Sequence, residues 1–122
     1  MPLPPLRVMT DVRRLAETRA VNFEITVDGV SRPAFAVRFR GVVRGFLNVC
    51  RHQARALDFG DGRFFDNEAD ALVCCHHGAR YDAVDGGCVS GPCAGGRLTA
   101  LALEQRGDEL WCMGLAPRRI PD

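Results

Sequence analysis

At 122 residues, with 47% apolar and 25% charged side chains, the chain has the size and balance of one folded domain spanning 1–122. Its net charge of +1 gives no electrostatic reason to bind nucleic acid or a membrane surface. No run approaches the ~18 apolar residues that a membrane span needs.

The first residues, Met1-Pro2-Leu3-Pro4-Pro5-Leu6-Arg7-Val8, lack the apolar core of a secretory signal, so the expectation is a cytoplasmic protein. Residues 1–14 read as a lead-in segment, with Thr10-Asp11 as the cap of a short turn. From Val21 the pattern is strand-like: Phe23, Ile25 and Val27 alternate with polar residues, and Asp28-Gly29 is a hairpin signal. The next run, Pro33 to Arg40, alternates Ala34 and Ala36 with Phe35, Val37 and Phe39. Gly41 then permits a turn into Val42-Val43 and into Phe46-Leu47-Asn48-Val49, a strand that ends at Cys50.

Residues 58–62 form a turn-rich connector. Phe64-Phe65-Asp66 and Ala71-Leu72-Val73 read as short strands on either side of residues 67–70, and Val73 runs straight into Cys74. Gly86-Gly87 and Gly91-Pro92 mark an irregular stretch. Leu98 to Leu103 and Leu110 to Met113 form a hairpin across Gly107-Asp108. The predicted fold class is all-β with antiparallel sheets. A ligand-bearing subdomain of about residues 46–96 is inserted between the base strands.

The chemistry is concentrated in two short motifs. Cys50-Arg51-His52 is a C-x-H, and after 21 intervening residues Cys74-Cys75-His76-His77-Gly78 is a C-x-x-H-G. Six cysteines in a secreted chain of this size would read as three disulfides. In a reducing cytosol, Cys/His clusters hold metal instead. Two thiolates and two imidazoles suit two metal centres. A single structural zinc takes a Cys₂His₂ set, though zinc knots pair like with like as C-x₂₋₄-C and H-x₃₋₅-H, whereas each half here is mixed. A [2Fe–2S] core with one histidine-ligated iron takes the same four residues.

The surrounding residues resemble the Rieske family. Leu57 follows the first motif where the family has an apolar residue. His77-Gly78-Ala79-Arg80-Tyr81-Asp82 is similar to its H-G-x-x-F/Y-D run, and Gly91-Pro92 followed by Leu98 resembles the G-P…L segment that closes over the cluster. The similarity covers about residues 46–104. It implies a Rieske-type fold and a [2Fe–2S] cluster held by Cys50, His52, Cys74 and His77, with the cysteines on the inner iron and the histidines on the outer one. His76 is then a neighbour rather than a ligand. Replacing two thiolates by imidazoles lifts the potential from about −400 mV in plant-type centres to roughly −150 to +300 mV.

Departures from the family pattern are informative. Arg51 replaces a proline and Ala54 a glycine, neither of them a ligand. The resemblance places the loop-joining disulfide of the high-potential members at Arg55 and His76, and their sulfide-binding serine at Ala79. Tyr81 matches a tyrosine that donates to a ligand sulfur. These positions imply a ferredoxin-type member in the lower part of the Rieske range.

The remaining cysteines have plainer readings. Cys112 is a small core residue beside Trp111. Cys88 and Cys93 either pair or pack, packing being the commoner outcome in the cytosol, and Cys75 sits one residue too early for the loop disulfide. Arg51, Arg55 and Arg80 form either a solvated rim or a positive collar that steers acidic redox partners.

The expected function is a soluble electron carrier between a reductase and an oxygenase or other acceptor, as a monomer or a subunit of a complex. The alternatives are a small subunit of a larger reductase, of the nitrite reductase kind, or a redox-sensing module. An oxygenase also needs a mononuclear iron on two histidines and a carboxylate. The chain has three histidines, of which the cluster takes two, so it is not an enzyme by itself.

Overall fold

The computed structural model describes residues 5–50, 56–58, 62–65, 71–74, 78–93 and 95–116. Among them are nine strands, a single 3-10 turn and no α-helix. Three antiparallel three-stranded sheets make up the fold, as the alternating sequence pattern predicts.

The central sheet is built by two tight hairpins. Strands β2 (Ala20–Val27) and β3 (Val30–Phe39) meet at Asp28 and Gly29, both at positive φ (51° and 80°). Positive φ at both central residues matches the right-handed twist of the flanking strands. The turn from β3 to β4 (Val42–Leu47) repeats the device with Arg40 and Gly41 at 51° and 78°. There the Glu17 carboxylate accepts from both Arg40 N and Gly41 N.

From Ala34 on, strand β3 is buried on both faces, and its alternation separates large from small residues. Phe35, Val37 and Phe39 enter the larger core, whereas Ala34 and Ala36 enter two smaller clusters on the other side. Those clusters are shared with the sheet of order β1-β9-β8: β1 (Leu6–Met9), β8 (Leu101–Arg106) and β9 (Glu109–Leu115). Alanine on that face of β3 leaves room for Ile25, Leu101, Leu110 and Cys112 to pack closely.

The larger core faces the third sheet, β5 (Leu72–Val73), β6 (Arg80–Tyr81) and β7 (Cys88–Ser90). Phe35 stacks on Phe64 at 3.9 Å between ring centroids, and Phe39 stacks on Phe65 at 5.6 Å. Each fully buried side chain of this size contributes roughly 1.5–3 kcal/mol. This aromatic floor carries the segments that hold the motifs.

Two readings of the sequence need correction. The lead-in segment contains β1, whose partner β9 lies at the far end of the chain (Leu6↔Cys112), so no local pattern marks it. Its cap reading holds: Asp11 Oδ1 accepts from Arg13 N at the start of the 3-10 turn Val12–Arg14. The stretch read as irregular contains β7, three residues long and paired with β6 across a register shift. The short strands read at Phe65 and Leu72 do meet, as an antiparallel bridge.

Candidate metal centre

The first cysteine is delivered by β4. After Leu47 the chain bends at Asn48 and reaches Cys50, which is 1% exposed. A polar latch brackets the segment that follows. Asn48 Oδ1 accepts from Leu57 N at 2.7 Å, and Asn48 Nδ2 donates to Asp58 Oδ1 at 3.0 Å. Asn22 Nδ2 and Gly62 N donate to Asp58 Oδ2 at 3.1 and 2.9 Å. Burial pulls the Asp58 carboxyl upward, but the hydrogen bonds from Asn48, Gly62 and Asn22 outweigh it and hold it below the ordinary carboxylate value. In the sequence, residues 58–62 read as a plain turn-rich connector. A buried carboxylate is rare, and no local signal marks it.

The second cysteine leaves β5. Cys74 is also 1% exposed, and a closed turn presents it. Gly78 N donates to Cys74 O at 2.9 Å, and Cys74 N donates to Ala79 O at 2.8 Å. The chain then enters β6, where Tyr81 is fully buried with its hydroxyl 3.4 Å from Cys50 Sγ. The second segment therefore brings a hydroxyl to the first cysteine, the contact that the resemblance implies for Tyr81. Ala79 is fully buried and offers no hydroxyl.

A third segment closes over this turn. Gly91 has φ +86°, and a Cβ placed on it would lie 3.0 Å from Gly78 O and 3.1 Å from Ala79 Cα. Backbone packs on backbone there, which only glycine permits. Leu98 and Leu57 are buried beneath, as the motif comparison implies. Cys88 and Cys93 are joined in a disulfide with Cα atoms 5.6 Å apart, the less common of the two outcomes the sequence leaves open. Their closeness follows from the tight turn at Gly91-Pro92. Cys112 is a buried free thiol in the β8–β9 core, as expected, and burial pushes its pKa up.

His52 and His77, together with Arg51, Ala54, Arg55, Cys75 and His76, lie outside the described residues. Of the arginines read as a collar, Arg80 is described: it lies on β6 and is half-buried. Among the described residues no group of three or more Cys, His, Asp or Glu side chains is gathered. The described half of the set nonetheless fits an iron–sulfur group. Two buried soft donors come from separate segments, and a phenol is aimed at one of the sulfurs, where a thiolate would accept.

The family model of the Rieske [2Fe–2S] domain matches residues 8–104. The chain belongs to the Rieske [2Fe–2S] family. Its cofactor is accordingly a Rieske-type [2Fe–2S] cluster, which sets aside the zinc reading. Among solved structures it is similar to the ferredoxin of carbazole 1,9a-dioxygenase from Nocardioides aromaticivorans IC177. Identity there is 25%, with 90% of this chain and 97% of that one covered and a TM-score of 0.67.

A chain from a complex of reduced oxygenase and oxidised ferredoxin in carbazole 1,9a-dioxygenase matches at 20% identity. It covers 94% of this chain and 97% of that one, with a TM-score of 0.71. The terminal oxygenase of carbazole 1,9a-dioxygenase from Novosphingobium sp. KA1 shares the fold at 16% identity and a TM-score of 0.72. There 97% of this chain matches 31% of the oxygenase chain. No curated protein sequence matches. Among the described residues no helix is long and apolar enough to cross a membrane.

Proposed function

We propose that the protein is a cytoplasmic electron carrier of ferredoxin type, passing single electrons from a reductase to an oxygenase or other acceptor. Cys50, His52, Cys74 and His77 hold its cluster. The observation that carries this reading is the burial of Cys50 and Cys74 together with the Tyr81 hydroxyl at the Cys50 sulfur. The near-complete mutual coverage with a dioxygenase ferredoxin supports a carrier rather than an oxygenase.

When bound, the cluster supplies a one-electron couple whose position depends on ligand charge and on hydrogen bonds to sulfur. The chain's own residues set that position. With Cys50 a cluster thiolate, the Tyr81 hydroxyl beside it would donate to the sulfur, favouring the more negative, reduced form and raising the potential. Ala79 has no proton to give, which removes a second such contribution. The Asn48–Asp58 latch and the Ala79–Cys74 turn hold the two cysteine-bearing segments in place. The aromatic floor excludes water beneath them.

The test is EPR of the dithionite-reduced protein. A Rieske-type signal that disappears in His52→Cys or His77→Cys variants while iron is retained supports the ligand set. A silent protein loaded with zinc overturns it.

A further inference from the structure

The Cys88–Cys93 bridge lies against the candidate metal centre without belonging to it. Cys88 is the register partner of Tyr81, the residue that contacts the Cys50 sulfur. Between the two cysteines, Gly91 rests on Gly78 and Ala79, and Ala79 O in turn holds Cys74 N. One strand pairing and one backbone contact thus connect the bridge to both cysteine-bearing segments.

The bridge is also placed for exchange. Cys88 is half-buried, and the loop tip beside it stands in solvent, with Val89 55% exposed and Ser90, Gly91 and Pro92 exposed. Cys93 is 4% exposed, and its sulfur sits 3.3 Å from Ser90 O and 3.5 Å from Arg80 O. A disulfide sulfur has no proton to offer these carbonyls. A thiol does, so the opened form gains acceptors already in position. Accessible disulfides are the labile ones, and cytosolic disulfides are usually transient and redox-sensing.

We infer that Cys88–Cys93 is a second redox site, a two-electron couple that takes dithiol reductants, and that its state is transmitted to the cluster-bearing turn. A thiolate of the dithiol attacks the Cys88 sulfur and forms a mixed disulfide. The Cys88–Cys93 bond breaks, and its electron pair leaves on the Cys93 sulfur, which takes a proton from solvent. The second thiolate of the dithiol then attacks its own partner's sulfur in the mixed disulfide and releases Cys88, which is protonated in turn. The dithiol ends as a disulfide, and two electrons and two protons reside on Cys88 and Cys93. With the bridge open, the tip at Gly91 is no longer clasped on Ala79, and the pairing of Cys88 with Tyr81 loosens. The Tyr81–Cys50 hydrogen bond weakens, and the cluster becomes both harder to reduce and more easily lost.

The transmission rests on the electron-carrier reading above, whereas the exchange site does not. To test both, holo-protein is equilibrated without oxygen in dithiothreitol redox buffers, quenched with iodoacetamide and peptide-mapped. The same samples are read by EPR and voltammetry. Cys88 and Cys93 are expected to gain label together in a two-electron titration. The cluster midpoint falls along the same titration, and cluster loss in air accelerates severalfold. The Cys88→Ser/Cys93→Ser double variant is expected to sit at the reduced value and to ignore dithiothreitol.

Absence of label short of denaturation overturns the exchange site, and labelling with an unmoved midpoint overturns the transmission. If no Rieske signal exists in any sample, the carrier reading fails, and peptide labelling still decides the exchange site. If the double variant does not fold, the titration of the native protein carries the test.

Discussion

The Tyr81 hydroxyl lies 3.4 Å from the Cys50 sulfur, so a residue that follows the second motif reaches the cysteine of the first, to which it would donate where that sulfur is a thiolate. Tyr81 is held from both sides, paired with Leu72 in β5 and with Cys88 in β7. Its ring is fully buried in the aromatic core, with the hydroxyl at the Cys50 sulfur.

Tyr81→Phe tests that contact, because it removes the oxygen and leaves the ring in place. The hydrogen bond favours the reduced cluster, so its loss should lower the midpoint by tens of millivolts, given that about 59 mV is tenfold for one electron. Stability should fall by about 0.5–1.5 kcal/mol. Voltammetry beside a urea melt separates the two effects. An unmoved midpoint would mean that Cys50 is not a cluster thiolate.

Ala79→Ser should act with the opposite sign. Ala79 is fully buried in the turn that presents Cys74, at the position where the family resemblance places a sulfide-binding serine. A hydroxyl introduced there without an acceptor would cost about 1–3 kcal/mol. The expected outcome is a raised midpoint in the holo form, with destabilisation confined to the apo form. Equal destabilisation of both forms would show that the hydroxyl meets no cluster sulfur.

The parts of this centre legible in the sequence are those fixed by local chemistry. Asp28-Gly29 and Gly41 announce their turns because these positions need positive φ, whereas the positive φ of Arg40 has no sequence signal. Cys50 and Cys74 stand out in the sequence because soft donors at mixed spacing have few other uses, and Tyr81 because it stands at a fixed offset from them; the structure buries all three and brings Tyr81 to Cys50. The β1 strand was hidden because its partner is distant in the chain. Asp58 was hidden because its burial depends on amides from Asn22 and Asn48 arriving from two other segments. The Cys88–Cys93 bond depends on a turn that tight packing on Ala79 imposes, and spacing alone does not reveal it.

Asp58 should make the fold sensitive to acid. Its carboxyl lies below the ordinary value in the folded protein, because the hydrogen bonds from Asn48, Gly62 and Asn22 outweigh burial. A folded pKa below the unfolded one means that the stabilisation is fully present above the unfolded value, about 3.9, and is lost as pH falls through the folded value. Asp58→Asn should flatten that acid limb in urea melts taken between about pH 2 and 6. Asp58→Ala should cost about 2–3 kcal/mol near neutrality, since it strands two side-chain amides and Gly62 N. An acid limb of the same slope in Asp58→Asn would place the sensitivity elsewhere.

Gly91→Ala tests whether the third segment must lie flat on the ligand turn. Two separate costs apply at this position: the left-handed backbone at φ +86°, and contacts of 3.0 and 3.1 Å with Gly78 O and Ala79 Cα, both backbone atoms that cannot swing aside. Gly29→Ala carries the first cost without the second, since nothing lies within 4 Å of a Cβ there and φ is +80°. Strain alone should make Gly29→Ala about 1 kcal/mol less stable and leave the cluster untouched. Gly91→Ala should lose about 1–3 kcal/mol and also displace Ala79, whose carbonyl holds Cys74 N, so that iron content drops and the visible spectrum bleaches faster in air. If the two variants lose equal stability and Gly91→Ala keeps its full iron content, the close approach at Gly91 does not control the turn that presents Cys74.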